Sequence, residues 1–229
     1  MTGRVLIVGA GGVGGPLAYA VTAAGAAVTV CDDDRVDLSN LQRQVQFTGA
    51  DLGRPKVEAL GDELRRRGVA SDRLRLVPRR FEPTSAGELA GDADVLVDGS
   101  DDPATKFAVA DWAMDHRRPY VIAGVLRWGG TVFRGGPDAA CYRCLFEAPP
   151  DDAPTCADAG VVGAACAAIG GLAAQAALAF LTGDLRLAGT ALVVEDLRAG
   201  FAPRAVSLSP RAGCPTCART PLPAIAGVS

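Results

Sequence analysis

The first 34 residues contain the feature that most restricts the possible folds of this chain: a strand, a glycine-rich turn, a helix and a second strand in direct succession. The apolar run Val5 to Val8 predicts a short buried strand, residues 15–24 predict a helix, and Val28 to Cys31 predict a second strand. Two strands joined through a helix form a βαβ unit, which requires a parallel sheet.

The turn itself, "GAGGVG" at residues 9–14, matches G-x-G-x-x-G between a predicted strand and a predicted helix. Glycines permit a tight turn there, and the N-terminus of the following helix offers free N–H groups to a phosphate. Asp32 ends the second strand about 20 residues further on, where a carboxylate can hold ribose hydroxyls. The pattern predicts a nucleotide site and leaves NAD, FAD and ATP open. The glycines assigned to this site are Gly9, Gly11, Gly12 and Gly14.

The rest of the chain continues the alternation without a linker that would separate domains. Further strands are predicted at residues 74–77, 95–97, 120–123, 129–136, 191–195 and 205–208, and further helices at residues 55–67, 104–115 and 160–181. The last strands are expected to be antiparallel. We therefore predict a single α/β domain over residues 1–229. In it, a Rossmann-like nucleotide-binding half (residues 1–135) continues into a mixed sheet with antiparallel strands (residues 136–229).

Composition excludes several classes of function. The net charge of −3 gives no general attraction to nucleic acid or to an anionic membrane. Residues 159–181 carry no charge, but they are mostly Ala and Gly, which gain little in lipid, so a buried helix is the better prediction. We expect a cytoplasmic protein without membrane or nucleic-acid partners. The single histidine, His116, is expected to be a helix-capping or surface residue.

The loop "DLSNLQRQV" at residues 37–45 is richer in anion-binding side chains than an NAD site requires. Arg43 offers a planar fork suited to phosphate oxygens, and Asn40 and Gln42 can hydrogen-bond phosphate or sugar. Lys56 begins the next helix, where its ammonium could approach the same anion. Two cations suit a triphosphate better than a diphosphate, although an ordinary polar surface loop remains the alternative.

A pair of carboxylates follows the strand at residues 95–97, in "DVLVDGSDD". Ligands in open α/β sheets bind at the carboxyl ends of strands, and an Asp there can hold Mg²⁺ between phosphates. Asp101 and Asp102 are the candidates. An Asp that caps the helix after it, at Pro103, is an alternative that can coexist with the metal role.

Seven cysteines are present, four of them in two C-x-x-C pairs, "CYRC" and "CPTC". Two such pairs can supply the tetrahedral ligand set of a structural Zn²⁺ that ties the C-terminal segment to the body. The predicted ligands are Cys141, Cys144, Cys214 and Cys217. Cys156 lies in a polar loop, where a reactive thiol would be placed, whereas Cys31 and Cys166 are expected in the core.

Taken together, these motifs resemble the MoeB/ThiF/HesA family, the prokaryotic relatives of ubiquitin-activating enzymes. The matching segments occur in the family's order over nearly the whole chain: "GAGGVG", "DDDRVDLSNLQRQ", "GRPKVEAL", "DVLVDGSDD", "CYRC", "TCADAGVVG" and "CPTC". The resemblance implies ATP- and Mg²⁺-dependent adenylation of the C-terminal carboxylate of a small ubiquitin-like carrier protein ending in Gly-Gly. It also implies a homodimer and a sulfurtransferase as a further partner.

By the same resemblance, Arg43 and Lys56 would neutralise phosphate charge, Asp101 would hold Mg²⁺, and Cys156 would join the carrier covalently. The further residues that would line the ATP site are Gly11, Asp32, Asp34, Ser39, Asn40, Leu41, Gln42 and Asp102.

The sequence departs from the family pattern in three places. Asp102 stands where Asn is common, and "GAAC" at residues 163–166 replaces a Gly-Pro segment. Relatives usually begin with a helix whose arginine reaches the ATP of the partner subunit. This sequence starts almost at the first strand, so we expect that arginine to be missing. The alternatives are an NAD(P)-dependent oxidoreductase, a peptide-modifying adenylating enzyme and a non-catalytic carrier-binding relative.

Overall fold

A computed structural model describes residues 2–149 and 160–217 of the chain. Its centre is one eight-stranded sheet with the order β3-β2-β1-β4-β5-β6-β7-β8. The strands are β1 Arg4–Val8, β2 Ala27–Cys31, β3 Leu74–Val77, β4 Val95–Asp98, β5 Tyr120–Leu126, β6 Gly129–Gly135, β7 Thr190–Val194 and β8 Arg204–Ser207. The helices are α1 Gly14–Ala23, α2 Lys56–Arg66, α3 Ala86–Ala90, α4 Pro103–Asp115, α5 Tyr142–Leu145 and α6 Gly163–Leu181.

The sheet is divided as the sequence predicts. Strands β1 to β5 pair in parallel, with β1 between β2 and β4. Strands β5, β6, β7 and β8 pair antiparallel. The carboxyl ends of β1 and β4 therefore meet where the strand order reverses, which is the position at which open α/β sheets bind ligands.

Glycine is required at two positions of the turn after β1. Gly9 has a φ of +91°, a conformation that L side chains rarely adopt. Gly14 packs so closely on the turn that a Cβ atom there would overlap the carbonyl oxygen of Gly9. The first turn of α1 is thereby held directly over the end of β1.

Helix α6 is the Ala-rich helix that the sequence predicts, although it begins at Gly163 rather than at residue 160. It is the one helix among the described residues that is long and apolar enough to cross a membrane. One of its faces packs on α1, β5 and β6, with Ile169, Ala173 and Ala177 fully or almost fully buried. This packing supports the prediction of a core helix.

The two shortest helices could not be predicted from the sequence. Helices α3 and α5 were not predicted, because four or five residues carry no helical periodicity. His116 ends α4 as its C-terminal cap, with its ring stacked on Trp112, which agrees with the predicted capping role.

Candidate functional site

A cleft of about 190 Å³ opens at the carboxyl ends of β1, β2, β4 and β5. Eight of the residues that the sequence assigns to nucleotide binding line it, together with side chains that the sequence did not single out. The predicted residues in the wall are Gly9, Gly11, Gly12, Asp32, Asp34, Arg43, Asp101 and Asp102. The structure thus brings the glycine turn, the acidic end of β2 and the "DGSDD" segment together.

The carboxylate of Asp32 is bound to the glycine turn. Its Oδ2 accepts a hydrogen bond from the amide of Ala10 at 2.7 Å, and its Oδ1 accepts one from the amide of Asp34 at 2.8 Å. Burial raises the pKa of Asp32, and the ammonium of Lys56 and these amide donors oppose that shift. Each oxygen keeps a further lone pair, so Asp32 can still accept hydrogen bonds from sugar hydroxyls.

Arg43 is the cationic residue of the 37–45 loop that lines the cleft. Its Nη1 donates one hydrogen bond, to the carbonyl of Ser39 at 3.3 Å, and no acidic group among the described residues pairs with it. A guanidinium with most of its donors uncommitted in a cleft is suited to bind an anion.

Most other residues of the 37–45 loop do not line the cleft. Asp37 caps a short 3₁₀ turn at Leu38–Asn40 by accepting hydrogen bonds from the amide and hydroxyl of Ser39. Four predicted site residues are outside the cleft wall in this structure: Ser39, Asn40, Leu41 and Gln42. Gly14 is also absent from the wall, because its role is the close packing described above.

Lys56 is placed differently from the prediction. Its side chain is only 7% exposed, and its ammonium lies 2.6 Å from Asp34 Oδ2 instead of lining the cleft. Asp34, which does line the cleft, therefore has its charge balanced by Lys56. Direct contact of Lys56 with phosphate remains a prediction.

The two adjacent aspartates have different environments. Asp102 is the N-terminal cap of α4 and accepts hydrogen bonds from the amides of Ala104 and Thr105, so the capping alternative is correct for it. The carboxylate of Asp101 is exposed in the cleft and makes no hydrogen bond to the described residues. An exposed carboxylate of this kind can bind Mg²⁺, since that cation keeps several waters and uses one or two protein carboxylates.

Lys106 is a site residue that the sequence analysis missed. Its ammonium contacts Asp98 Oδ2 at 2.7 Å and the carbonyls of Ser100 and Ala123 at 2.6 and 2.8 Å, at the bottom of the cleft. Asp98 is fully buried; burial raises its pKa and the charge of Lys106 opposes the shift. The available signal was a lysine in the first turn of the helix that follows "DGSDD".

Two glutamines of the same loop were also missed. Gln46 donates from Nε2 to the carbonyls of Ala10 and Gly11 at 2.8 and 2.9 Å and so supports the glycine turn. Gln44 lines the cleft, and its buried Oε1 has no hydrogen-bond partner among the described residues. Residues 41–46 are mostly turns, so no local periodicity in "QRQVQ" predicts these two positions.

The four predicted zinc ligands form one cluster at the other end of α4. Their Sγ atoms are separated by 3.8 Å (Cys141–Cys144), 3.5 Å (Cys141–Cys214), 3.4 Å (Cys144–Cys217) and 3.4 Å (Cys141–Cys217). A tetrahedral Zn²⁺ with Zn–S bonds of about 2.3 Å needs Sγ–Sγ distances of about 3.8 Å. The cluster therefore fits a structural zinc ion. Cys156 lies outside the described residues, and its role stays a prediction.

Comparison with known proteins agrees with this arrangement. A profile of the ThiF family matches residues 1–216. The chain belongs to the ThiF family. This ThiF-family chain is 38% identical over 227 residues to the "Sulfur carrier protein adenylyltransferase" of Thermus thermophilus, covering 95% of the chain and 83% of that relative.

A second relative is longer than this ThiF-family chain. The "Probable adenylyltransferase/sulfurtransferase MoeZ" of Mycobacterium tuberculosis is 37% identical over 210 residues, which cover 86% of the chain and 53% of MoeZ. The chain thus spans about half the length of MoeZ. The "SAMP-activating enzyme E1" of Haloferax volcanii is 36% identical over 185 residues, which are 79% of the chain and 68% of that protein.

Solved structures share the fold. The crystal structure of E. coli MccB with ATP superposes with a TM-score of 0.78 at 19% sequence identity, covering 94% of the chain and 66% of MccB. At that identity the likeness concerns the fold alone. The mixed α/β sheet predicted from the sequence is confirmed.

Proposed function

We propose that this chain is an adenylyltransferase that activates the C-terminal carboxylate of a small ubiquitin-like sulfur carrier protein ending in Gly-Gly. The observation that carries the proposal is the relative named a sulfur carrier protein adenylyltransferase, which matches 95% of the chain. ATP is the second substrate and pyrophosphate is the first product. Membership of the ThiF family favours this reaction over NAD(P)-dependent oxidoreduction.

The residues of the cleft suit that reaction. A carboxylate oxygen of the carrier attacks the α-phosphorus of ATP, the bond to the bridging oxygen breaks, and pyrophosphate leaves with the electron pair. The attacking group is already ionised, so no general base is needed. What the reaction needs is alignment and stabilisation of phosphate charge.

Each requirement has a candidate group in the cleft. Amides of the glycine turn, at the start of α1, would hold phosphate oxygens, and the guanidinium of Arg43 would stabilise charge that develops on pyrophosphate. Asp32 would bind ribose hydroxyls, and Asp101 would hold Mg²⁺, which supplies further charge neutralisation between the phosphates.

A second, apolar groove is a candidate site for the carrier. It lies on the face of the antiparallel strands and is lined by Ile122, Phe133, Leu145, Phe146 and Val193, among others. Lys106 and Gly124 belong to both the groove and the nucleotide cleft. An extended C-terminal tail that entered along this groove would bring its carboxylate to the cleft.

Blocking the groove should therefore impair use of the carrier more than use of ATP. Thr131 is exposed and lines the groove from β6, so Thr131→Arg would place a long charged side chain in it. We expect KM for the carrier to rise at least about tenfold, the equivalent of ~1.4 kcal/mol. KM for ATP should change by less than about twofold.

Steady-state kinetics with each substrate varied in turn would measure the two KM values. Thr84→Arg is the matched control, because Thr84 is exposed and lies in neither the groove nor the cleft. An unchanged KM for the carrier in Thr131→Arg would exclude this groove as the carrier site.

The proposal includes a structural zinc ion at the four-cysteine cluster and a sulfurtransferase partner. Thiolate attack on the acyl adenylate, with AMP as leaving group, is the step that such a partner would perform.

The proposed function also includes a homodimer and a cytoplasmic location. The solvent face of α6 carries small residues (Ala164, Ala167 and Gly171), which permit close approach of another subunit. Light scattering that gave a monomer at every micromolar concentration would contradict the dimer.

A further inference from the structure

The third residue of each C-x-x-C pair contacts the same carboxylate. In "CYRC" that residue is Arg143 and in "CPTC" it is Thr216, and both donate hydrogen bonds to Asp111 of α4. The two pairs are about 70 residues apart in sequence, as the 73-residue separation of Cys141 from Cys214 illustrates. Asp111 is therefore a side chain of α4 that contacts both halves of the cysteine cluster.

The contact with Arg143 has well-defined geometry. Nε lies 2.8 Å from Asp111 Oδ1 and Nη2 lies 2.8 Å from Oδ2, a bidentate arrangement. The guanidinium also sits over the ring of Phe107, one helical turn earlier, at 4.9 Å from the ring centroid. Its remaining Nη1 donates to the carbonyl of Glu147 at 2.9 Å. All three guanidinium nitrogens of Arg143 therefore have a hydrogen-bond partner.

The contact with Thr216 is longer but more enclosed. The Thr216 hydroxyl lies 3.3 Å from Asp111 Oδ1, and Thr216 is only 1% exposed. The segment just before the second pair also contacts the first pair without Asp111, because the amide of Arg211 lies 3.3 Å from Cys144 Sγ. Asp111 thus adds a side-chain connection to a contact made by the main chain.

We propose that Asp111 is a positioning residue that holds the two cysteine pairs in the geometry needed for zinc. It touches none of the four sulfur atoms, so it would act through the orientation of Arg143 and Thr216. Loss of a hydrogen bond to a metal ligand commonly lowers metal affinity by about 10–100-fold, and because Asp111 acts one residue further from the metal, we expect the lower end of that range. This inference rests on the zinc ion of the proposed function.

Zinc release provides the test. The full-length protein would be mixed with a chromophoric chelator, and the rate of zinc transfer would be followed at a temperature where all variants are folded by circular dichroism. We expect Asp111→Ala to release zinc about tenfold faster than wild type. Asp111→Asn should have a smaller effect, because the amide oxygen can still accept a hydrogen bond.

Two controls separate positioning from general stability. Asp115→Ala changes an exposed aspartate one turn further along α4 and should release zinc at the wild-type rate. The d–d bands of the Co²⁺-substituted protein report the geometry of the sulfur ligands, which a loss of global stability would not alter. We expect those bands to shift in Asp111→Ala and to stay unchanged in Asp115→Ala.

If Asp111→Ala does not fold, Thr216→Val can be used instead. It removes the hydrogen bond from Thr216 to Asp111 and leaves the ion pair between Arg143 and Asp111. It should accelerate zinc release, and it should add little when combined with Asp111→Ala. Wild-type protein without bound zinc would overturn the zinc site itself. Bound zinc with wild-type release rates and Co²⁺ bands in the Asp111 and Thr216 variants would overturn the role of Asp111 alone.

Discussion

Arg43→Ala is expected to slow adenylate formation by about 10²–10³-fold, or ~2.7–4 kcal/mol, the usual effect of removing one preorganised group that stabilises developing charge. The reason is that Arg43 lines the cleft with its guanidinium free of acidic partners among the described residues. Replacing Arg43 breaks no ion pair among the described residues, so the thermal unfolding midpoint should change little. Pyrophosphate exchange into ATP, measured with saturating carrier, reports the step directly.

The neighbouring aspartates provide an internal comparison. Asp101→Ala should reduce exchange by a similar factor without loss of stability, because its carboxylate is exposed and unbonded to the described residues. Asp102→Ala should instead lower the free energy of unfolding by about 1 kcal/mol, since it removes the cap of α4.

Arg66→Ala, on the exposed face of α2, is the control for the loss of a positive charge in Arg43→Ala. Full activity of Arg43→Ala would remove Arg43 from the catalytic groups.

Cys141→Ser is expected to lose the zinc ion and to lower the free energy of unfolding by more than about 4 kcal/mol. Loss of a metal is one of the few single changes with so large an effect. Cys141 is 1% exposed and packs in the core cluster near Tyr120 and Tyr142, so the damage should spread beyond the C-terminal segment. Denaturant unfolding and metal analysis of the same samples measure the two effects together.

Another buried cysteine separates metal loss from cavity formation. Cys31→Ala removes a sulfur from β2, outside the four-cysteine cluster. It should lower the free energy of unfolding while the protein keeps one zinc ion per chain. If Cys141→Ser kept its zinc, or if the reduced wild-type protein contained none, the cluster would not be a structural zinc site.

Much of the fold could be predicted because its signals are local. The buried strands are short apolar runs between turn residues, and β3 occupies the predicted residues 74–77. The glycine turn and Asp32 were predictable for the same reason, since strand, turn and helix follow directly in sequence. The short helices α3 and α5 had no such signal.

The lysines illustrate what the sequence could not settle. Lys56 and Lys106 both lie in the first turn of a helix that follows a polar segment, so local pattern does not distinguish them. Only the packing of α2 and α4 on the sheet decides that Lys106 reaches the cleft and that Lys56 is bound to Asp34. Contacts between segments distant in sequence, such as Gln46 with the glycine turn, are hidden in the same way.

The central claim is that this chain transfers AMP to the carboxylate of a Gly-Gly carrier. The most direct measurement is the intact mass of the carrier after incubation with the protein, ATP and Mg²⁺ and a rapid acid quench. The account predicts a carrier heavier by one AMP group, with one pyrophosphate released for each adduct, and no adduct on a carrier lacking the terminal glycine. No adduct and no pyrophosphate with any Gly-Gly carrier, from protein that binds NADH, would contradict the account and favour an oxidoreductase.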